Sequence, residues 1–235
     1  MNAGHLVIGY HGCDAVTRDD LVAGRLPSLR HSANPYDWLG PGAYFFEGDA
    51  ERALNFAQAS RDNPHRMYTK QPIVTPAVVG AVLRIRNWLD MTTQQGLREF
   101  GNAHEAMVKE LVARGKPVPQ NLAAGPEDTE VLLRKLDNAV FTHIHTVRHA
   151  PLALPPYQAV RGAFPQGPAL AENSAFRRDS HIQIALRDET CVVGWFMPQG
   201  SKLLPPDVYD VLKAELAQAS AAPAARKKRV RPAKG

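Results

Sequence analysis

The sequence predicts an α+β fold, and three observations carry that reading. Apolar, β-prone segments gather towards the two ends of the chain: 5–10 (HLVIGY), 43–46 (AYFF) and 78–86 (VVGAVLRIR) early, then 159–164, 181–186 (HIQIAL) and 191–196 (CVVGWF) late. Between them, roughly over 92–149, lies a stretch of different texture. Two helical patterns, 97–114 and 129–147, flank a Pro/Gly/Asn linker at 115–126. Strands grouped at both ends with helices between them indicate segregated elements rather than an alternating βαβ chain. At 44% hydrophobic and 22% charged, the 235 residues have the apolar content a core needs.

Taken in order, residues 5–10 read as a short buried strand ended by Gly12. Residues 14–23 (DAVTRDDLVA) have helical periodicity, with Asp14 or Thr17 able to cap them and Gly24 to stop them. The segment 26–42 is rich in Pro, Ser, Asn and Gly and reads as a long surface loop, a type of segment that often carries function. Asp49 caps a predicted helix, AERALNFAQASR, that ends near Asn63-Pro64. Residues 187–190 are expected to join the last two strands as a hairpin. One domain is expected over 1–205, followed by a helix over 206–218 and a disordered basic tail over 219–235.

The N-terminal stretch MNAGHLVIGYHGCD has no cationic run ahead of a long apolar one, and no segment is long and apolar enough to span a bilayer. Neither a secretory signal nor a membrane partner is expected. The two cysteines, Cys13 and Cys191, have no CxxC partner, so a disulfide framework and a cysteine zinc site are not expected, and a reducing cytoplasm is the simplest home. The net charge of +5 resides in the tail: residues 219–235 hold Arg226, Lys227, Lys228, Arg229, Arg231 and Lys234 and no acid, and removing those six charges leaves the rest at −1. Such a tail either grips a nucleic acid through phosphate contacts or serves as a solubilising terminus.

Three segments carry the chemistry. Tyr10-His11-Gly12 puts a histidine and a glycine at the end of an early strand. Leu39-Gly40-Pro41-Gly42-Ala43-Tyr44-Phe45-Phe46 is a glycine-flanked aromatic strand followed by an Ala-rich helix. Gln183 stands in the first of the two late strands. In order and spacing these resemble the catalytic core of the PARP-like (diphtheria-toxin-like) ADP-ribosyltransferases, over most of 5–87 and 157–198 but not over the helical stretch or the tail.

The resemblance implies a split β-sheet core with 92–149 as a helical insertion, and NAD as the substrate with no metal. His11, Tyr44 and Gln183 take the catalytic positions; His11, Gly12, Tyr44 and Phe56 take the NAD-binding ones. The residue types suit those roles. Tyr44 offers a π-face to the nicotinamide ring. The Gly12 backbone can approach a carboxamide closely. A neutral His11 has one donor and one acceptor for a ribose hydroxyl, and Gln183 can bond the nicotinamide-ribose 2′-hydroxyl. Each also has a plain reading: a turn for His-Gly, core for Tyr44, a solvent-facing position for Gln183 between Ile182 and Ile184.

Two departures from the family pattern matter. Gln183 stands where chain-forming members carry Glu, and an amide is no general base, so transfer of a single ADP-ribose is expected rather than polymer synthesis. In the helix after Tyr44, Ala53 and Phe56 stand for a Ser and an aromatic residue, so one carboxamide hydrogen bond is lost. NAD hydrolysis in the same pocket, or a non-catalytic nucleotide-binding or nucleic-acid-binding role, are the alternatives. The macromolecular acceptor is left open between protein and nucleic acid. Arg161 is either a pyrophosphate contact or a surface arginine, and Ser32 and Asn34 are candidates for the adenosine side. His143 and His145, two apart on a helical pattern, point to different faces and make poor co-ligands. Cys13 has no base assignable to it and reads as a packed residue.

Overall fold

The computed structural model describes residues 4–64, 71–125, 128 and 130–221. Among them a mixed seven-stranded sheet is joined by five α-helices, an α+β arrangement as expected. The strands are β1 (His5–Asp14), β2 (Ala43–Glu47), β3 (Pro76–Ile85), β4 (Trp88–Asp90), β5 (Ala159–Phe164), β6 (His181–Leu186) and β7 (Val192–Phe196). The helices are α1 (Ala15–Val22), α2 (Ala50–Asp62), α3 (Gln94–Ala113), α4 (Lys135–His149) and α5 (Pro206–Ala221). The sheet order is β4-β5-β6-β2-β1-β3-β7, with β4 and β5 parallel and the other neighbours antiparallel.

Local chemistry explains most of the boundaries. β1 runs past Gly12 to Asp14, whose carboxylate accepts from Val16 N–H at 3.0 Å to cap α1, and from Val74 and Thr75 N–H at 2.9 and 2.8 Å. Gly24, at φ +71°, turns the chain after α1. Asp49 caps α2 by accepting from Arg52 N–H at 2.8 Å. α4 starts later than its pattern predicted. The Asp128 carboxylate holds Ala124, Glu130 and Leu132 N–H at 2.7, 2.9 and 2.8 Å, fixing a turn where the helical pattern had suggested a first turn of helix. α5 runs on to Ala221. The basic residues of the tail lie outside the described residues.

The sheet is weakly stitched at one place. The β1–β3 ladder is unbroken from His5 opposite Ile85 to Asp14 opposite Pro76, whereas the β1–β2 ladder consists of Gly9 opposite Glu47 and Tyr10 opposite Phe46. Beyond Tyr10 the two strands part. The halves on either side fold towards each other over a shared core of Val7, Phe45, Leu83, Ile184 and Leu186. Phe45 of β2 stacks 6.1 Å from Trp195 of β7, although β1 and β3 stand between those strands in the sheet. On the opposite face α2 covers Gly12, Phe46 and Val78, and α3 and α4 pack with Leu89, Val140, Phe141 and Val160 over the other half.

The expected hairpin between the last two strands is not formed. β6 is flanked by β5 and β2, and β7 pairs with β3 at the far edge. The short connection does not fold back as a hairpin because it contains a 3-10 turn (Glu189–Cys191), capped by Asp188 through Thr190 N–H and Oγ1 at 3.0 and 2.6 Å. That turn redirects the chain across the core, and the folding-over of the sheet lets so few residues span from one half to the other.

Candidate functional site

The parting of β1 and β2 sets the geometry. Main-chain groups alternate sides along a strand, and Ile8 C=O accepts from Gly48 N–H at 2.9 Å on the β2 side. Tyr10 and Gly12 therefore also aim at β2, and Gly12 lies past the last β1–β2 pair, so its N–H and C=O face the notch. Tyr44 C=O, on the other bank, receives the His11 ring at 2.7 Å instead of a strand partner. A carbonyl only accepts, so Nδ1 carries the proton and Nε2 is left as an acceptor. Desolvation holds this imidazole below its ordinary pKa despite that bond, keeping it neutral.

Gly12 is also a packing necessity. A Cβ there would come within 2.2 Å of Ala53 C=O, because α2 lies directly against β1. Ala53 is fully buried at that contact, and Phe56, one turn on, is partly buried with its ring 6.0 Å from Phe46. Tyr44 is pinned at its far end: its hydroxyl donates to Gly40 C=O at 2.8 Å and accepts from Leu39 N–H at 3.1 Å. Burial pushes its pKa well up, so the phenol stays protonated.

Gln183 does not face solvent freely. It is the register partner of Phe46 and of Gly162, and its Oε1 accepts from Trp38 Nε1 at 2.6 Å. That bond fixes the amide orientation and leaves the two Nε2 protons as its donors. Trp38 fits because Gly162 is beneath it; a Cβ there would sit 2.9 Å from the indole.

Around Gln183 runs an arc of rings that the sequence reading did not single out. Phe46 lies 4.9 Å from His181, His181 5.5 Å from Phe164, and Phe164 4.8 Å from Trp38. His181 Nδ1 donates to Asp179 C=O at 2.7 Å, while its buried Nε2 has no partner. Burial lowers this histidine to about 4, so it too is neutral. Arg52 lies over the Phe46 ring at 5.1 Å and ties α2 to the 165–180 segment through Gln166 Oε1 at 2.5 Å and Asp179 C=O at 3.2 Å. The signal for His181 was strand alternation with Gln183 and that for Phe46 was alternation with Tyr44; Trp38, Phe164 and Arg52 gave none, because their positions depend on long-range packing.

His11, Gly12, Tyr44, Phe56 and Gln183 thus border β2 from β1, β6 and α2, with the His11 ring on the Phe45 side of the sheet and the Tyr44 and Gln183 side chains on the Phe46 side. Other candidates fall elsewhere. Arg161 pairs in register with Ile184, so it faces away from Gln183; it bonds Glu47 at 2.6 Å, Asp90 at 3.2 Å and Thr92 at 2.9 Å, which consumes its guanidinium. Ser32 and Asn34 are engaged within their own loop. Both bond Asp37, and Asn138 of α4 donates to Asn34 and Asp37 C=O at 3.1 and 3.0 Å. Their short polar side chains stabilise the loop rather than project from it. His143 stands 3.9 Å from Glu110 of α3, whereas the His145 ring faces Tyr157 at 6.3 Å. Cys13 is buried and its thiol is pushed up to about 12, chiefly by desolvation and then by Asp14, so it is no nucleophile.

Comparison of the chain with protein-family models, with curated proteins and with solved structures finds no match.

Proposed function

We propose that this protein is a mono-ADP-ribosyltransferase, which binds NAD, releases nicotinamide and passes one ADP-ribose to a macromolecular acceptor. The observation that carries the reading is the parting of β1 and β2, which frees the Gly12 main chain between His11 and Tyr44. The split-sheet core that the sequence resemblance implies is part of the same reading. In this reading Gly12 N–H and C=O take the nicotinamide carboxamide, and the pinned Tyr44 ring provides its apolar wall. The Gln183 amide donates to a ribose hydroxyl, and His11 Nε2 accepts from another.

The chemistry asked of these groups is orientation. The bond between ribose C1′ and the nicotinamide nitrogen breaks with its electron pair leaving on nicotinamide. The acceptor nucleophile then attacks C1′ and loses its proton to the surroundings. Holding the dinucleotide in a reactive pose supplies much of the acceleration for so good a leaving group. Gln183 accepts no proton, which favours a single transfer over chain growth. Trp38 occupies the Gln183 carbonyl, which leaves the amide protons as the groups for a ribose hydroxyl.

Incubation with NAD labelled in its adenylate half, against separate protein, DNA and RNA pools, tests this reading. The expected result is nicotinamide release with label on one pool as a single mass increment. Nicotinamide release with all label as free ADP-ribose would assign hydrolysis instead. No release, together with no NAD-induced rise in melting temperature, would overturn the NAD reading.

A further inference from the structure

Arg187 follows β6 immediately and, by strand alternation, faces the same side as Gln183, four residues or roughly 13 Å away. The two are separated by the loop that Tyr44 pins and by Ala185, which is fully buried. The Arg187 guanidinium makes no hydrogen bond or ion pair among the described residues, and its Nε is buried without a partner. The neighbouring Asp188 carboxylate is turned away, occupied by Thr190 and by Gln158 Nε2 at 2.9 Å. Desolvation lowers this arginine from its ordinary value and no carboxylate offsets it. The side chain is half-buried, and a partly desolvated charge without a counter-charge is costly.

Two grooves meet at this side chain. One, of about 400 Å³, runs past His31, Gln158, Asp188 and Glu189. The other, of about 260 Å³, lies against α4 and is lined by Pro41, Thr142, His145, Thr146 and Arg187, with no acid. His145 Nε2 is also buried without a partner. Burial, reinforced by Arg187 and Arg148, lowers that histidine to about 3. Unpartnered groups from the end of β6 and from α4 thus converge on an acid-free space from two sides. That suits a tetrahedral oxyanion, which presents oxygens in several directions, better than a planar carboxylate.

We propose that the α4 groove is a phosphate site, taking the phosphoryl group of a phosphate ester on Arg187, with the Thr142 hydroxyl and the His145 ring completing its shell. The rest of the groove accommodates the organic part of the ester. The proposal is independent of NAD binding at the notch.

Inorganic phosphate is the probe, with acetate and chloride at matched ionic strength as controls. Phosphate is expected to raise the melting temperature of the wild-type chain and to move the His145 imidazole resonances, with acetate and chloride doing neither. Arg187→Met keeps the apolar stem and is expected to melt at or above the wild-type temperature without phosphate, because it removes an uncompensated charge. Its phosphate affinity should fall by about tenfold or more, the scale of a lost charge-assisted hydrogen bond. Should Arg187→Met fail to fold, Thr142→Val takes its place, with a smaller loss of phosphate affinity expected. An equal phosphate response in wild type and variant, or an acetate response matching that of phosphate, would overturn the site.

Discussion

The two ends of β6 present opposite kinds of polar group on one face of the sheet. At the Gln183 end the exposed chemistry is neutral and already oriented. The amide is held by Trp38, and the His181 ring is fixed by Asp179 C=O. At the Arg187 end a formal charge stands without a partner. At the first end hydrogen-bond direction matters more than charge. At the second the charge itself dominates. Strand alternation places both on the same side, and the loop pinned by Tyr44 keeps them apart.

The sharpest way to break that contrast is at Gln183. Gln183→Ala removes the donors and orphans Trp38 Nε1, and nicotinamide release is expected to fall about a hundredfold, the scale of losing an oriented donor at a reacting centre. Gln183→Glu keeps an acceptor for Trp38 and should retain release or increase it. Steady-state nicotinamide production measures both. Ladders of increasing mass on the acceptor with the wild-type chain would contradict the single-transfer reading.

Tyr44 tests the partition between the two ends. Tyr44→Phe leaves Leu39 N–H and Gly40 C=O without their partner and should cost about 1–3 kcal/mol in chemical denaturation, while keeping the NAD-induced melting shift because the ring remains. Tyr44→Ala removes the ring as well and should abolish that shift. A shift retained in Tyr44→Ala would put the nucleotide elsewhere.

A smaller effect follows from the neutral histidine beside Gln183. His181 titrates near 6.5 in the unfolded chain and near 4 when folded, because burial disfavours its cation. Below the unfolded pKa the unfolded state binds the extra proton first. The stabilising contribution is therefore complete above about 6.5 and is lost as pH falls towards 4. His181→Phe should flatten the stability–pH curve across that window, as followed by denaturation at successive pH values.

Much of the sheet was legible because its strands are short, apolar and well bounded: β5 and β6 follow their patterns to the residue, and Asp14 and Asp49 cap where a cap was expected. The pairing of those strands was not. Whether 187–190 forms a hairpin depends on the sheet folding over at its β1–β2 join, which no local pattern encodes. The same holds for the site. His11, Tyr44 and Gln183 could be named only because their segments resemble a family motif; the strand pattern alone left each with a plain reading as turn, core or surface. Trp38 reaches Gln183 only because Gly162, far along the chain, leaves it room. Arg187 carries no signal at all in a sequence, since what distinguishes it is the absence of a partner in space.

The remaining prediction concerns the tail and has the least to do with the sheet. α5 ends at Ala221, and from there to Gly235 the sequence holds six basic residues and no acid, while the remainder is close to neutral. If the acceptor is a nucleic acid, these charges supply non-specific affinity by releasing counterions, which makes binding fall steeply with salt. Truncation after Ala221 should then flatten the slope of log affinity against log salt for a generic oligonucleotide by up to about five units, close to 0.9 per neutralised phosphate. Nicotinamide release from NAD alone should be almost unchanged, since every residue assigned to the notch lies before Phe196. A solubilising tail predicts no oligonucleotide affinity to lose. Binding of the full chain and the truncated one at two salt concentrations separates these outcomes, and equal affinities would remove nucleic acid from the tail's role.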